Sequence, residues 1–278
     1  DGIRDVAVTG VQTCALPISA SGLQRNRRDR SQPVDDTANL ILARDRDGAW
    51  RGGLLNFAIH PTALPAENLA FTADVAGAIE RHVGASLTAP GGAAPTMLFL
   101  NGALGDVSPT QRGFAGIERI GEAFAKGAEN ALSGLRPLGA QWTVETAEAE
   151  LGPPRVPLQN CLSPPWLRWI VGHDIGLRAG SIVSHAAQLR LIRFGNVALM
   201  TWPGEPTTAM GAELRHAAER AGVKQPIVVG IAGDYMAYFT SPAEFTRGKY
   251  EACMSWFGPK GGDRIVSAYR RLFFPPDR

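Results

Sequence analysis

The sequence predicts an α/β fold in which a mixed β-sheet is layered with helices. Short apolar runs bounded by Gly, Pro or Asn are typical of buried strands, and amphipathic stretches with helical spacing alternate with them. The runs that predict strands are residues 54–59, 97–100, 197–202 and 226–232. The stretches that predict helices are residues 72–84, 117–135 and 207–222. Alternation of this kind favours a layered α/β domain.

Two further segments predict that the sheet is mixed. Residues 141–151 alternate between polar and apolar side chains as a half-exposed strand does, and residues 188–194 lead into the 197–202 run through Gly195-Asn196. A leading glycine suits a two-residue type II′ turn, so these last two strands are predicted to form a hairpin. The Pro-rich segment 153–166 is predicted to be a surface loop or lid.

Residues 1–19 show no sustained period and no helix cap. They resemble translated sequencing-adapter read-through, so we expect an assembly scar there, or else a disordered terminus, and exclude them from the fold. Residues 20–278 then form one domain, which we expect to be truncated at its N-terminus.

Composition excludes some classes of function. The chain has 28 Lys and Arg against 26 Asp and Glu, a net charge of +2, so no basic field predicts a nucleic-acid partner. Its three cysteines are too few and too scattered to predict a disulfide framework or a CxxC metal site. No apolar window approaches the roughly 20 residues needed to cross a bilayer. Nothing in the composition predicts a protein partner.

Several polar residues share a position just after the carboxyl end of a predicted strand. They are His60, Asp106, Ser108, Glu205, Tyr235 and Tyr238. Strands that run the same way deliver their following loops to one edge of a sheet, which is where ligands bind in open α/β sheets. The sequence therefore predicts a site at the carboxyl ends of the strands.

His60 and Glu205 each allow two interpretations. A histidine after a buried strand is often a structural group, but Pro61 holds His60 extended and fixes the direction of its imidazole, as a metal ligand requires. Glu205 lies between Pro203-Gly204 and Pro206 at the end of an apolar strand. It either favours the positive N-terminus of the next helix or binds a metal ion opposite His60.

Ser108 and the tyrosines of residues 233–252 are similarly open. The loop 101–110 is compatible with an Asx-type turn whose serine is idle, or with a glycine-flanked loop that exposes a nucleophile. It matches neither a GxSxG elbow nor a Walker loop. The tyrosines are either packing residues or phenols that serve as a ligand or an oxyanion donor.

Four motifs in order resemble the neutral/alkaline non-lysosomal ceramidases, specifically their N-terminal catalytic domain. The motifs are NFAIHPT, NGALGDVSP, WPGEPTT and GDYMAYFTSPAEF followed by KYEA and FGP, and the similarity runs from about Asn26 to the end of the chain. Members of that family hydrolyse the amide of ceramide (N-acylsphingosine) to sphingosine and a fatty acid. They use a zinc ion bound by two histidines, a glutamate and a tyrosine, together with a serine.

The resemblance implies roles for individual residues. His60, Glu205 and Tyr238 would be zinc ligands, and Ser108 would be the catalytic serine. Tyr250 would donate to the developing oxyanion. Arg27, with Arg28 as the competing residue, would be the arginine on the substrate side.

The chain also departs from the family pattern. It contains no His-x-His motif, which supplies the family's first zinc histidine, so as written it offers three of four protein ligands. The immunoglobulin-like C-terminal domain of the family is absent from this sequence. Two alternatives to a ceramidase therefore stand: a metal-dependent hydrolase of another N-acyl amide, and an inactive lipid-binding fragment.

The resemblance implies a ceramide-like lipid as the binding partner and allows association with a membrane surface. It also implies a secreted, periplasmic or otherwise extracellular location. It leaves open whether water or Ser108 attacks the amide.

Overall fold

The computed structural model describes residues 11–17, 22–138, 141–162, 176–178 and 183–274. The strands of these residues are β1 (Val11–Pro17), β2 (Gln24–Asn26), β3 (Thr37–Arg44), β4 (Trp50–Phe57), β5 (Thr96–Asn101), β6 (Val107–Pro109), β7 (Arg136–Leu138), β8 (Trp142–Glu150), β9 (Arg155–Pro157), β10 (Gly176–Arg178), β11 (Ala186–Phe194), β12 (Val197–Thr201), β13 (Glu205–Pro206), β14 (Gln225–Val229) and β15 (Tyr238–Phe239). The helices are α1 (Asp74–Ser86), α2 (Gly113–Ala131), α3 (Leu158–Cys161), α4 (Thr208–Arg220), α5 (Pro242–Arg247), α6 (Tyr250–Cys253) and α7 (Gly261–Phe273).

Two larger sheets carry the fold, and both are mixed. The five-stranded sheet has the order β5-β4-β3-β1-β7, and the four-stranded sheet has the order β14-β12-β11-β8. Each contains one parallel pair, β4 with β5 and β12 with β14, while the other neighbours are antiparallel. The α/β class and the mixed pairing are confirmed. The prediction of a single sheet is wrong, because pairing partners are a tertiary choice that strand periodicity does not encode.

The two sheets pack face to face, and helices cover their outer faces. Side chains alternate along each strand, so Ile41 and Leu54 point to the interface between the sheets while Leu40 and Leu55 point to the outer core. Helices α1 and α2 cover the outer face of the five-stranded sheet, and α4 and α7 cover that of the four-stranded sheet. The result is four layers in the order helix, sheet, sheet, helix.

Backbone contacts join the two sheets at the carboxyl ends of their parallel strands. Asn56 donates from Nδ2 to the Val228 carbonyl at 3.0 Å, and Gly230 N donates to the Asn101 carbonyl at 2.8 Å. A Cβ atom at Gly230 would lie 2.5 Å from the carbonyl oxygen of Gly102, so this approach requires glycine. The ends of β4, β5, β12 and β14 therefore converge.

Individual elements match the sequence predictions closely. The four apolar runs are β4, β5, β12 and β14, the three amphipathic stretches are α1, α2 and α4, and residues 142–150 form β8. The hairpin between β11 and β12 turns at Gly195, whose φ of +53° suits the first position of a type II′ turn. Periodicity identified these elements because each buries one face or both.

The N-terminal residues differ from expectation. The sequence predicts that residues 1–19 lie outside the fold, whereas residues 11–17 form β1 and pair with β3 along their whole length and with β7 through Val11–Thr13. Strand pairing needs only an extended backbone with free N–H and C=O groups, which side-chain periodicity does not report. Residues 1–10 and 18–19 lie outside the described part of the chain.

The Pro-rich segment is more ordered than predicted. Residues 155–157 form β9, which pairs with β10, and residues 158–161 form α3. Cys161 at the end of α3 forms a disulfide with Cys253 at the end of α6. The cysteine count did not predict this bond, because a single bridge between distant residues leaves no spacing pattern. Residues 163–166 lie outside the described residues.

No helix within the described ranges has the length and the apolar character that a membrane span requires.

Candidate functional site

The loops after the converging strands carry the site residues that the sequence predicted. His60 follows β4, Ser108 lies on β6 after β5, Glu205 follows β12, and Tyr238 follows β14. All four side chains are buried. The loop 101–106 is pressed against β13, since Gly105 N donates to the Pro206 carbonyl at 2.8 Å and a Cβ atom at Gly105 would lie 2.7 Å from the Glu205 carbonyl oxygen.

His60 is oriented by the backbone of Val107. Its Nδ1 donates to the Val107 carbonyl at 2.7 Å, and its own backbone N–H donates to the same oxygen at 3.3 Å. In the neutral imidazole this leaves a lone pair on Nε2. That nitrogen lies 2.8 Å from Oε2 of Glu205.

Glu205 is placed by a short strand pair. In β13 it pairs in parallel with Tyr238 of β15, and its N–H donates to the Ala237 carbonyl at 2.9 Å. Gly204, with φ of +155°, allows this approach because a Cβ atom there would lie 2.4 Å from the Ala237 oxygen. The Pro-Gly-Glu-Pro sequence therefore ends a buried strand with a turn that sets a carboxylate beside a phenol.

The Glu205 carboxylate has a different partner on each oxygen. Oε1 accepts from the Tyr235 hydroxyl at 2.8 Å, whereas Oε2 is buried and faces the Nε2 atom of His60 without a hydrogen-bond donor among the described residues. Burial acts to raise the pKa of Glu205, but the interactions with His60, Tyr238 and Tyr235 outweigh it and lower the pKa below its ordinary value. Glu205 is therefore ionised at neutral pH.

Tyr238 brings a phenol to the same point. Its hydroxyl lies 3.2 Å from Nε2 of His60 and 3.2 Å from Nη2 of Arg27. Burial and the nearby Glu205 carboxylate raise the pKa of Tyr238 far above its ordinary value. Ala237 just before it has φ of +60°, a strained conformation of the kind that clusters at functional sites.

Arg27 rather than Arg28 faces this group. Arg27 donates from Nη2 to the Gly105 carbonyl at 2.8 Å, and its Nη1 lies 3.5 Å from Nε2 of His60. Burial acts to lower the pKa of Arg27, but the contacts with Tyr238 and Glu251 raise it. Arg28 instead donates to backbone carbonyls of residues 244 and 248.

Tyr250 stands at the exposed edge of the group. Its ring centroid lies 5.5 Å from that of Tyr238 in an edge-to-face arrangement, and the Arg27 guanidinium carbon lies 5.6 Å from the centroid of each ring. Tyr250 is 57% exposed. Its hydroxyl is therefore accessible to a ligand that enters from solvent.

Ser108 is buried on β6, where it pairs with Arg25 of β2. No hydrogen bond among the described residues joins its hydroxyl to His60, Glu205 or Tyr238. Ser108 is the next residue in the chain after Val107, whose carbonyl orients the His60 imidazole. Its catalytic role stays a prediction.

Asp106 has a structural role over a long range. Its Oδ1 accepts from Thr208 N at 2.7 Å and from the Thr208 hydroxyl at 2.8 Å, and its Oδ2 accepts from Nδ2 of Asn26 at 2.7 Å. In the Asx-type turn that the sequence allows for residues 101–110, Asp106 would accept hydrogen bonds from nearby backbone N–H groups. The structure shows that Asp106 instead satisfies the first turn of α4, about a hundred residues further along the chain.

The group has the chemistry of a cation site. The potential ligands are the imidazole of His60, the carboxylate of Glu205 and the phenol of Tyr238. Without the phenol only two ligands remain, since no cluster of three or more His, Cys, Asp or Glu side chains occurs among the described residues. An imidazole lone pair and a carboxylate oxygen that face each other at 2.8 Å repel unless a proton or a metal ion lies between them. The buried Oε2 without a donor therefore fits a metal ligand.

Two residues that contact the candidate site, Tyr235 and Glu251, have no role predicted from the sequence. Tyr235 donates to Glu205, and Glu251 accepts from Nε of Arg27 at 2.8 Å. Tyr235 stood out only as one of several tyrosines after a strand. Glu251 is adjacent to Tyr250 in the KYEA motif, but no local pattern pairs it with an arginine 224 positions away.

The comparisons with known proteins agree on one family. The family model for neutral/alkaline non-lysosomal ceramidase, N-terminal, matches residues 173–267, a range that includes Glu205, Tyr238 and Tyr250. The neutral ceramidase of Mycobacterium tuberculosis is 23% identical over 312 residues, covering 83% of this chain and 48% of that protein. Neutral ceramidase A of Dictyostelium discoideum is 32% identical over 90 residues, 31% of this chain and 12% of that protein.

Solved structures share the fold. A ceramidase complexed with C2 has a TM-score of 0.76 at 15% identity, and the neutral ceramidase of Pseudomonas aeruginosa has a TM-score of 0.73 at 17% identity. Each covers 95% of this chain, while the chain covers 53% and 52% of the two structures respectively. The fold is thus that of the ceramidases, and the chain spans about half the length of the Mycobacterium tuberculosis protein and of the two solved structures. The chain is therefore similar to the neutral/alkaline non-lysosomal ceramidases, through the family model over residues 173–267 and through the fold over most of its length.

Proposed function

We propose that this protein is a zinc-dependent amide hydrolase that cleaves ceramide to sphingosine and a fatty acid. One observation carries the proposal: His60 Nε2 lies 2.8 Å from Glu205 Oε2 and 3.2 Å from the Tyr238 hydroxyl, although the three residues come from separate segments of the chain. Similarity to the neutral ceramidases supports the amide of ceramide as the bond cleaved.

His60, Glu205 and Tyr238 would hold the zinc ion. When bound, zinc would polarise the amide carbonyl and lower the pKa of a coordinated water or serine hydroxyl. The carboxylate of Glu205 is ionised and buried, which favours cation binding, and Val107 fixes the imidazole so that Nε2 faces inward. The raised pKa of Tyr238 keeps the phenol protonated until a cation is near.

Arg27 and Tyr250 would act on the developing negative charge of the carbonyl oxygen. The guanidinium lies between the two tyrosine rings and remains charged at any physiological pH. The exposed Tyr250 hydroxyl would donate a hydrogen bond to the oxyanion, which is the effect that contributes most in acyl transfer. Ser108 would serve as the nucleophile or would orient the attacking water.

A location outside the cytoplasm agrees with the disulfide between Cys161 and Cys253. Such bonds persist in oxidising compartments and are rare in reducing ones. We propose that the protein acts in the periplasm or after secretion, where it meets ceramide at a lipid surface.

The test is hydrolysis of a ceramide with a labelled acyl chain, measured before and after removal of metal. We expect one zinc ion per chain by mass spectrometry, loss of activity with a chelator, and recovery on addition of zinc. Glu205→Gln should abolish both zinc binding and activity. Glu213→Gln is the matched control and should retain both, because Glu213 is a half-exposed carboxylate on α4 that pairs with Arg270.

Three results would redirect or overturn the proposal. Cleavage of short N-acyl amides without cleavage of ceramide would assign the protein to another amide. Activity that survives complete metal removal would exclude zinc. A folded protein that takes up no zinc and cleaves neither substrate would be the inactive fragment.

A further inference from the structure

Glu251 is a buried carboxylate on α6 that is only 3% exposed. Its Oε1 accepts from Nε of Arg27 at 2.8 Å, and its Oε2 accepts from Nη1 of Arg28 at 2.6 Å. We propose that Glu251 is a positioning residue that fixes the Arg27 guanidinium against the His60, Glu205 and Tyr238 group. The inference rests on the proposed function for its catalytic consequence, but the positioning itself can be measured without catalysis.

The guanidinium of Arg27 is held from two edges. Glu251 takes the Nε edge, which leaves Nη1 and Nη2 directed at the site, where Nη2 donates to the Gly105 carbonyl and to the Tyr238 hydroxyl. Ordering an arginine side chain costs rotamer entropy, because its long chain has many rotamers. Because the Glu251 carboxylate is already fixed, it holds the Nε edge of the guanidinium. The contacts in the site then have to order only the edge that carries Nη1 and Nη2.

The charge of Glu251 matters as well as its shape. Arg27 and Arg28 are consecutive cations, and both are largely covered by protein. Among the described ion pairs, Glu251 is the carboxylate that pairs with both of them. Its loss would leave the positive charges of two guanidiniums less well neutralised near a proposed cation site. Glu251→Gln keeps the volume and one acceptor but removes the charge.

The helix that carries Glu251 also carries Tyr250. Helix α6 has four residues, and its position is fixed by Tyr238 N, which donates to the Met254 carbonyl at 3.2 Å, and by the disulfide at Cys253. Ser255 donates from its hydroxyl to the Glu251 carbonyl at 2.8 Å. One short helix thus presents Tyr250 to the open side of Arg27 and Glu251 to its buried side.

Arg28 provides a matched control because it pairs with the same carboxylate but points elsewhere. Its Nη2 donates to the carbonyls of Glu244 at 3.0 Å and Gly248 at 2.9 Å, and it has no described contact with His60, Glu205 or Tyr238. If Glu251 were only a stabilising residue, Arg28→Gln and Glu251→Gln would have similar effects on activity.

The experiment measures kcat and KM for ceramide together with the melting temperature of each variant. We expect Glu251→Gln to lower kcat/KM about 10- to 100-fold, mainly through kcat, as for other residues that orient a metal-site group. Arg28→Gln should lower the melting temperature to a similar extent yet keep kcat/KM near that of the wild type. The double variant Glu251→Gln/Arg27→Gln should be no less active than Arg27→Gln alone, because the two residues act through one interaction.

A spectroscopic readout separates failure of this inference from failure of the proposed function. In 15N NMR spectra the Nε–H signal of Arg27, assigned by its loss in Arg27→Gln, should be protected from exchange in the wild type. It should shift and exchange faster in Glu251→Gln, and change much less in Arg28→Gln. Any one of three results would overturn the inference. The Arg27 signal could be unchanged in Glu251→Gln, or Glu251→Gln and Arg28→Gln could lose activity equally. The double variant could also be less active than Arg27→Gln by the full factor that Glu251→Gln loses on its own. A wild type without ceramidase activity would instead count against the proposed function and leave the NMR test intact.

Discussion

Glu205 and Tyr238 face each other as register partners of a two-residue parallel pair, so the backbone itself sets the carboxylate beside the phenol. This pair is held by hydrogen bonds from Glu205 N to the Ala237 carbonyl and from Thr207 N to the Phe239 carbonyl, at 2.9 and 3.0 Å. The close approach depends on Gly204, where a Cβ atom would lie 2.4 Å from the Ala237 oxygen.

Gly204→Ala should therefore separate β13 from β15. We expect the free energy of unfolding to fall by about 1–3 kcal/mol, as for other overpacked sites, and zinc binding to weaken because Glu205 moves relative to Tyr238. Urea denaturation and metal titration measure the two effects. Gly91→Ala is the control, since Gly91 also has a positive φ, +73°, but a Cβ atom there meets nothing within 4 Å. Equal losses in both variants would attribute the effect to backbone strain alone.

Tyr235→Phe should weaken zinc binding without removing a ligand. The variant loses the hydrogen bond from the Tyr235 hydroxyl to Oε1 of Glu205, which orients the carboxylate. Groups of this kind typically contribute 10- to 100-fold in metal affinity, an effect that competition with a chelator measures. Among the described contacts, Tyr250 touches Tyr238 and Arg27 but not Glu205, so Tyr250→Phe should keep the affinity for zinc while lowering kcat. An affinity that is the same in Tyr235→Phe and the wild type would contradict the orienting role.

Removal of the Cys161–Cys253 disulfide should destabilise the protein and loosen α6. The bond joins residues 92 positions apart, and a loop of this length corresponds to a loss of about 4.6 kcal/mol in the chain-entropy model and commonly 2–4 kcal/mol in practice. Urea denaturation of Cys161→Ser/Cys253→Ser compared with the wild type measures the loss. A reductant should lower the stability of the wild type to that of the variant, and it should leave the stability of the variant unchanged. Any other pattern would mean that the bond does not stabilise the fold.

The stability should depend on pH through Asp106. Burial raises the pKa of this carboxyl, and the charge of Glu244 adds to the effect, against lowering by Thr208 and Asn26. The pKa of Asp106 is higher in the folded state than in the unfolded state, so between these two values the folded state binds the proton more tightly. The contribution to stability is therefore greatest at acidic pH. It is lost as the pH rises from about 4 through the raised pKa. The free energy of unfolding of the metal-free wild type should therefore fall relative to that of Asp106→Asn over this range. A difference that is constant or that grows with pH would contradict the raised pKa.

The sequence by itself predicts the four buried strands, the half-exposed strand β8, the β11–β12 hairpin and helices α1, α2 and α4, and it names most residues of the candidate site, but it predicts neither β3 nor α7. The buried strands and amphipathic helices have characteristic periods, and Pro61, Gly204 and Pro206 restrict the backbone locally, so short segments carry the information. The order of the motifs also indicated the family. His60, Glu205 and Tyr238 each follow a recognisable strand, and the family resemblance singles them out as expected zinc ligands.

Only the tertiary structure decided which sheets these strands form, that residues 11–17 belong to one of them, and that Arg27 rather than Arg28 faces the site. It also decided the pairing of Glu251 with both arginines, the disulfide, and the capping of α4 by Asp106. The physical reason is common to all of these features. They depend on contacts between residues far apart in the chain, whose energy arises only when burial brings the partners together, and no local period or spacing records such a contact.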